Sequence, residues 1–148
     1  MKIIVISGSY SGIGKTTLAR NIGKILGNQE CEIIKFGHNQ YNPTKKEKLF
    51  HNIEEGVDYI KALQKKNTIN YLIIESNSIY TFIKPDFAVF LKGNNKPEKE
   101  TAALARKFAD IIIDEQFDCN CALNISKEKL GADITQDLLQ QHKYLYNK

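Results

Sequence analysis

The segment GSYSGIGKTTL, residues 8–18, places glycines, a lysine and two threonines directly after a short apolar run. Backbone N–H groups can wrap phosphate oxygens only where side chains are absent, and Gly12 and Gly14 meet that requirement. A helix that begins at the lysine would add the partial positive charge of its N-terminus. The pattern therefore predicts a phosphate-binding loop followed by a helix.

Three side chains of this loop have the chemistry that a magnesium-bound nucleotide needs. Lys15 would reach the β- and γ-phosphates, the Thr16 hydroxyl would ligate Mg²⁺, and Thr17 would touch the α-phosphate. The remaining nucleotide contacts are expected from the loop itself: Ser9, Ser11, Gly12, Ile13 and Gly14. Mg²⁺ and a nucleoside triphosphate, GTP or ATP, are thus the predicted cofactors.

One position departs from the usual phosphate-loop pattern. That pattern is Gly, four residues, then Gly-Lys-Ser/Thr, and it would put a glycine where this chain has Ser9. Serine can bend there at a modest conformational cost, and Gly8 beside it gives the backbone slack. We therefore expect the loop to bind phosphate despite the serine.

A second magnesium ligand is expected from a carboxylate at the end of a neighbouring strand. Two apolar runs end in one: residues 71–75 end in Glu75, and residues 111–114 end in Asp114. We prefer Glu75 because it opens the polar segment Ser76-Asn77-Ser78, whereas Asp114 could cap a loop or face the base. The predicted catalytic pair is therefore Lys15 and Glu75, and the predicted metal ligands are Thr16 and Glu75.

The elements that must position these residues alternate between strand and helix. Short β-branched apolar runs predict strands, and apolar residues at helical spacing predict helices. The predicted strands are residues 2–7, 32–36, 71–75, 87–91 and 111–114, with a last strand at 122–125. The predicted helices are residues 15–26 and 53–66, one that starts near Pro97, and one from the Asp133 capping box to the end; residues 37–52 are predicted as a loop.

This alternation predicts the α/β class, with a mainly parallel sheet flanked by helices in three layers, as in P-loop NTPases. The length of 148 residues fits one nucleotide-binding domain over residues 1–148. In such sheets ligands bind beyond the carboxyl ends of the strands. That edge is where residues 7–15 and Glu75 should meet.

Composition excludes some classes of function. The chain is 42% hydrophobic and 26% charged, and no apolar run approaches the roughly 20 residues of a membrane span. A four-residue N-terminal apolar run and three unpaired cysteines favour the cytoplasm over secretion. The net charge of +4 is spread over scattered lysines, so neither nucleic acid nor membrane is an expected partner.

The segments SYSGIGKTTL, IIKFGHN and LIIESN together resemble the P-loop proteins known as molybdopterin-guanine dinucleotide biosynthesis protein B. The resemblance covers the order of elements over roughly the first 115 residues, and it implies slow GTP hydrolysis in the assembly of the guanylated molybdenum cofactor. It implies phosphate and Mg²⁺ contacts at residues 12 and 14–17, with Glu75 as the acidic strand end, and it aligns His38 with a histidine of the family. A molybdenum-cofactor guanylyltransferase or target enzyme is the implied partner, and a homodimer is the alternative assembly to a monomer.

Two other functions remain open. A small-molecule kinase that uses ATP would need several cations around the transferred phosphoryl group, and the chain has only two arginines, Arg20 and Arg106. Lysines of the loop 42–48 could replace them. A nucleotide-binding regulatory module with negligible turnover would follow if neither Glu75 nor a residue such as Asp58 positions a water.

Base preference has two weak sequence signals. Asn95-Lys96-Pro97-Glu98 is similar to the Asn-Lys-x-Asp guanine motif, but it comes late after its strand and coincides with a predicted helix start. Asn124-Ile125-Ser126-Lys127 is the second candidate, at a predicted strand end. GTP is therefore favoured over ATP mainly by the family resemblance.

Overall fold

The computed structural model describes residues 1–27, 30–37 and 47–146. Six strands and five helices are found in this part of the chain, together with one 3₁₀ turn. In chain order they are β1 (Lys2–Gly8), α1 (Lys15–Leu26), β2 (Cys31–Phe36), β3 (Glu47–Phe50), α2 (Ile53–Lys66), β4 (Tyr71–Glu75), the 3₁₀ turn (Ile79–Thr81), β5 (Phe87–Leu91), α3 (Ala102–Phe108), β6 (Ile111–Ile113), α4 (Cys119–Leu130) and α5 (Thr135–Tyr146).

All six strands form one parallel sheet in the order β3-β2-β4-β1-β5-β6. The central strands β1, β4 and β5 are nearly continuous apolar runs because both of their faces are covered. The predicted α/β class with a parallel sheet flanked by helices is confirmed. The carboxyl ends of β2, β4 and β1 consequently lie side by side.

Two apolar clusters cover the two faces of this sheet, an arrangement compatible with three layers. Helices α1, α4 and α5 bury residues such as Leu18, Ala122 and Leu138 on one face. On the other face, α2, α3 and the 3₁₀ turn bury Val57, Ala105 and the like. The chain therefore leaves the adjacent strands β1 and β4 towards opposite faces, and this divergence opens a crevice at their carboxyl ends.

Helix α2 begins and ends at the residues predicted from the sequence, because local capping signals mark both ends. Asn52 caps its first turn, with the side-chain oxygen accepting from the N–H groups of Glu54 at 2.8 Å and Glu55 at 3.3 Å. Lys65 and Lys66 occupy the last turn, where cations are favoured, and the left-handed Asn67 ends the helix. Helix α2 therefore spans residues 53–66, as predicted.

Three predictions of secondary structure are wrong. The segment 122–125, predicted as a strand, lies inside α4, because Asp118 caps a helix there and buried residues recur at the helical positions 122, 126 and 130. The helix predicted from Pro97 begins only at Ala102. Within the predicted loop 37–52, residues 47–50 form the edge strand β3, while residues 38–46, including His38, lie outside the described part of the chain.

The longest helix in the described residues, α2, has 14 residues. A membrane span needs roughly 20 predominantly apolar ones. None of the described helices is therefore long and apolar enough to cross a bilayer.

Candidate functional site

The loop between β1 and α1 places its glycines where the backbone requires them. Gly12 and Gly14 have φ angles of 81° and 111°, which residues with a side chain rarely adopt. Gly14 lies at the start of α1 and has no side chain to cap the helix. The N-terminus of α1 thus stays open to an anion, as the sequence pattern predicts.

Ser9 has a structural reason for replacing the usual glycine. It is fully buried, its hydroxyl donates to Glu98 at 3.2 Å, and the same oxygen accepts from the Gly93 N–H at 3.1 Å. Its backbone carbonyl also accepts from the Lys99 N–H at 2.8 Å. Ser9 therefore fastens the segment between β5 and α3 to the loop.

These hydrogen bonds predict that a Ser9→Gly variant is less stable than wild type. We expect a decrease of about 1–2 kcal/mol in the free energy of unfolding, because two hydrogen bonds of a buried hydroxyl are lost and a flexible glycine is gained. Urea denaturation should show it. Ser11→Gly is the matched control, since Ser11 is an exposed serine of the same loop, and its loss should be less than half as large. Equal losses would show that Ser9 does not act as a tether.

Lys15, Thr16 and Glu75 converge at the crevice between β1 and β4. The Thr16 hydroxyl donates to Oε1 of Glu75 at 2.8 Å, and Lys15 Nζ donates to the carbonyl of Tyr10 at 3.4 Å. Glu75 is only 1% exposed, and among the described residues its Oε2 atom has no hydrogen-bond partner. A hydroxyl and a carboxylate are oxygen ligands of the kind that Mg²⁺ takes, so the residues present fit this metal.

Burial disfavours the charged forms of both Lys15 and Glu75. The pKa of Lys15 is lowered to about 8, mainly by burial and also by the nearby charge of Lys99, while Glu75 opposes the shift. Burial also raises the pKa of Glu75, against the hydrogen bond from Thr16. Both groups would gain from a ligand that brings the opposite charge, a polyphosphate for Lys15 and a cation for Glu75.

A cavity of about 790 Å³ opens at these residues. Its volume lies within the range of small-molecule and cofactor sites. The loop and strand ends supply the lining on one side: Ser11, Gly12, Gly14, Lys15, Thr16, Thr17 and Glu75. Of the predicted nucleotide contacts, Ser9 and Ile13 do not line the cavity; Ile13 is buried in the core below the loop.

The structure separates the two candidate metal carboxylates. Glu75 ends the strand next to β1 and binds Thr16. Asp114 follows the edge strand β6, does not line the cavity, and accepts from the Gln116 N–H at 2.9 Å as the cap of a turn. Asp58, named with Glu75 as a water-positioning candidate, is exposed on α2 and does not line the cavity either. Glu75 is thus the carboxylate that geometry places beside the loop.

Three residues at the site carried no sequence motif. Lys35, at the end of β2, donates from Nζ to the Thr16 hydroxyl at 3.2 Å, and Lys99 lines the same cavity from the segment before α3. The Asn77 side chain pairs with the backbone of Gly8, accepting at 3.0 Å and donating at 2.9 Å. The place of Asn77 in the polar segment after Glu75 was its only signal; Lys35 belongs to the segment IIKFGHN but was not singled out there, and Lys99 had no signal.

The two arginines are engaged elsewhere. Arg20 forms an ion pair with the buried Glu47 of β3, with Nε to Oε1 at 2.6 Å, and Arg106 pairs with Glu98. Neither lines the cavity. Of the loop 42–48, residues 42–46 lie outside the described residues, and Lys48, on β3, lies over the ring of Tyr59 on α2. Within residues 1–27, 30–37 and 47–146, the lysines that line the cavity come from other elements: Lys15, Lys35 and Lys99.

The structure places the two candidate guanine motifs in different surroundings. Asn95 and Lys96 are exposed and line a smaller cavity of about 330 Å³ beside the loop, and the helix start predicted to coincide with them lies later, at Ala102. Asn124 lies within α4 and not at a strand end, which removes the reason for the second candidate.

Comparison with protein-family models and with curated proteins gives no match for this chain.

Proposed function

We propose that this chain is a P-loop nucleotide-binding protein that holds a magnesium-bound nucleoside triphosphate in the 790 Å³ cavity and hydrolyses it slowly. The observation that carries the proposal is the hydrogen bond between Thr16 and Glu75, directly beside Lys15 and the open N-terminus of α1. Phosphate, metal and a strand-end carboxylate would meet at the crevice where such sheets bind ligands.

The residues would divide the work as follows. Backbone N–H groups of the loop and the Lys15 ammonium would hold the phosphates, while Thr16 and Glu75 would hold Mg²⁺. When bound, Mg²⁺ would neutralise charge on the β- and γ-phosphates. Oε2 of Glu75, which has no hydrogen-bond partner in the described part of the chain, would be able to orient a water. The preference for GTP and a role in molybdenum-cofactor assembly rest on the sequence resemblance alone.

A small-molecule kinase is the second candidate, and a specific feature favours it. Lys15, Lys35 and Lys99 all line the cavity, so the cations that phosphoryl transfer requires are present without arginine. The small number of arginines argued against this function, and Lys35 and Lys99 were not counted because they come from segments distant from the loop in the chain. An ATP preference with very slow release of phosphate to water would favour the kinase.

Calorimetry on the wild-type protein tests the proposal. GTP and ATP are titrated with and without Mg²⁺, and phosphate release is followed in the same samples. We expect binding that strengthens with Mg²⁺ and slow turnover. Binding without turnover would move the function to a nucleotide-dependent regulatory module, and no binding of either nucleotide would refute a P-loop function.

A Thr16→Val variant tests the metal ligand separately. Removing the hydroxyl while keeping the shape should weaken Mg²⁺-nucleotide binding by roughly tenfold, because one metal ligand is lost. Binding in excess EDTA should change little. Thr68→Val, at an exposed threonine before β4, is the matched control and should bind as wild type does. Equal affinity of Thr16→Val and wild type with Mg²⁺ would exclude Thr16 from the metal site.

A further inference from the structure

Lys35 lies at the end of β2, where its backbone is in register with Glu75 of the neighbouring strand β4. The strands are parallel, so both side chains point to the same face of the sheet. Its ammonium group donates to the Thr16 hydroxyl at 3.2 Å. A lysine is therefore built into the place where the two proposed metal ligands meet.

The Thr16 hydroxyl connects the cation to the carboxylate. It accepts from Lys35 and donates to Oε1 of Glu75 at 2.8 Å, so the three groups form a chain from ammonium to hydroxyl to carboxylate. The charge of Lys35 also acts directly on Glu75. In this arrangement Lys35 supplies the positive charge that a metal ion would otherwise bring to Thr16 and Glu75.

Two cations cannot share these ligands at low cost. Mg²⁺ binds oxygen at about 2.0–2.1 Å, which would place it near an ammonium that contacts the same hydroxyl oxygen. Glu75 is buried, and repulsion between like charges is weakly screened in such surroundings. The ammonium must therefore move away when the metal arrives, and the phosphates of a bound nucleotide would attract it.

We propose that Lys35 is a positioning residue that holds Thr16 and Glu75 in the metal-free site and is displaced when Mg²⁺ binds, so that it sets the metal affinity. The proposal rests on the proposed function of the site. It explains why a lysine is placed against Thr16, within electrostatic reach of Glu75. Its consequence is that metal binding carries the cost of displacing the ammonium, and a bound polyphosphate would lower this cost by attracting the ammonium.

Mn²⁺ titration tests this displacement. The protein is saturated with GDP or, separately, ADP, and free Mn²⁺ is followed by electron paramagnetic resonance. A Lys35→Met variant should bind Mn²⁺ roughly tenfold more tightly than wild type, because no ammonium has to leave. Lys99→Met removes the same charge from the same cavity without a bond to Thr16, and it should tighten binding by no more than about threefold.

Two further variants separate displacement from general electrostatics. Lys35→Arg keeps a cation, and its Mn²⁺ affinity should stay within about threefold of that of wild type. This variant still tests the proposal if Lys35→Met does not fold. In a Thr16→Val background, Lys35→Met should give no more than the effect of Lys99→Met, because the shared oxygen is gone.

The outcomes are distinct. A Lys35→Met affinity equal to that of Lys99→Met, or weaker than wild type, overturns the displacement while nucleotide binding stands. If wild type binds neither nucleotide nor Mn²⁺ with nucleotide, the proposed function and this inference fail together.

Discussion

A Lys15→Met variant should lose about 100-fold in affinity for nucleoside triphosphate while becoming more stable than wild type in the absence of nucleotide. The loss follows because the ammonium would make charge-assisted hydrogen bonds to the β- and γ-phosphates, worth about 3 kcal/mol together. The gain follows because the free protein holds this ammonium in buried surroundings near Lys99 and Lys35. Methionine keeps the apolar stem and removes the charge.

The expected gain in stability of Lys15→Met over wild type depends on pH, and the lowered pKa of Lys15 determines the direction of this dependence. In the folded wild type the pKa of Lys15 is about 8, against 10.5 for an unperturbed lysine. Below pH 8 both states carry the proton, and the folded state bears the full cost of the buried charge. Between pH 8 and 10.5 the folded state releases the proton first, so wild-type stability rises towards that of the variant.

Urea denaturation near pH 7 and at about pH 9.5 measures both effects. We expect the variant to be more stable by about 1–2 kcal/mol at the lower pH and by clearly less at the higher. Lys129→Met is the control, because an ion pair with Asp110 raises the pKa of Lys129, so its removal should lower stability. A Lys15→Met variant that is less stable than wild type near pH 7 would show that this lysine is not strained in the free protein.

Such a cost in the free state is typical of a binding site. Buried like charges and an unpartnered carboxylate oxygen lower stability until a ligand compensates them. Lys15 and Glu75 both fit this description, with pKa shifts of opposite kind that share burial as their main cause. Nucleotide and metal would relieve both at once, so binding should raise the thermal midpoint by more than the contacts of either one alone.

Local sequence signals predicted much of the framework. Helix α1, helix α2 and strands β4 and β5 have the predicted limits, because caps and apolar periodicity act within the element itself. Strand β3 was missed because it is a four-residue edge strand with two charges, Glu47 and Lys48, and its partner is another strand. The helix predicted at Pro97 starts later because Lys99 and Glu98 bind Ser9, a contact between distant segments.

The residues of the candidate site also fall into two groups: those that are contiguous in the sequence and those that the fold brings together. The glycines, Lys15 and Thr16 are contiguous, so their spacing alone predicts that they lie together. Lys35 reaches Thr16 only because β2 and β4 are neighbours in register, and strand order is not written in the local pattern. Lys99 reaches the cavity only because Ser9 fastens its segment. Lys35 and Lys99 could therefore not be assigned to the site from the sequence, whereas Glu75 could, because it is a carboxylate that ends an apolar strand.

A Glu75→Gln variant should lower magnesium-supported phosphate release by about 100-fold or more and weaken the apparent Mg²⁺ affinity by roughly tenfold. Glutamine keeps an oxygen that can accept from Thr16, so the local hydrogen bond and the fold are retained. What it removes is the negative charge that would face the metal and the carboxylate oxygen Oε2 that would orient a water. Nucleotide affinity in excess EDTA should therefore change little.

The matched control for Glu75→Gln is Asp114→Asn, which neutralises the other strand-end carboxylate. Asp114 follows the edge strand, separated from β1 by β5, and serves as the cap of a turn. We expect its phosphate release and Mg²⁺ dependence to stay within about twofold of wild type, with only a small loss of stability. The reverse result, with Asp114→Asn inactive and Glu75→Gln active, would assign the metal to Asp114 and would require β6 to lie closer to the phosphate loop than the sheet order β4-β1-β5-β6 allows.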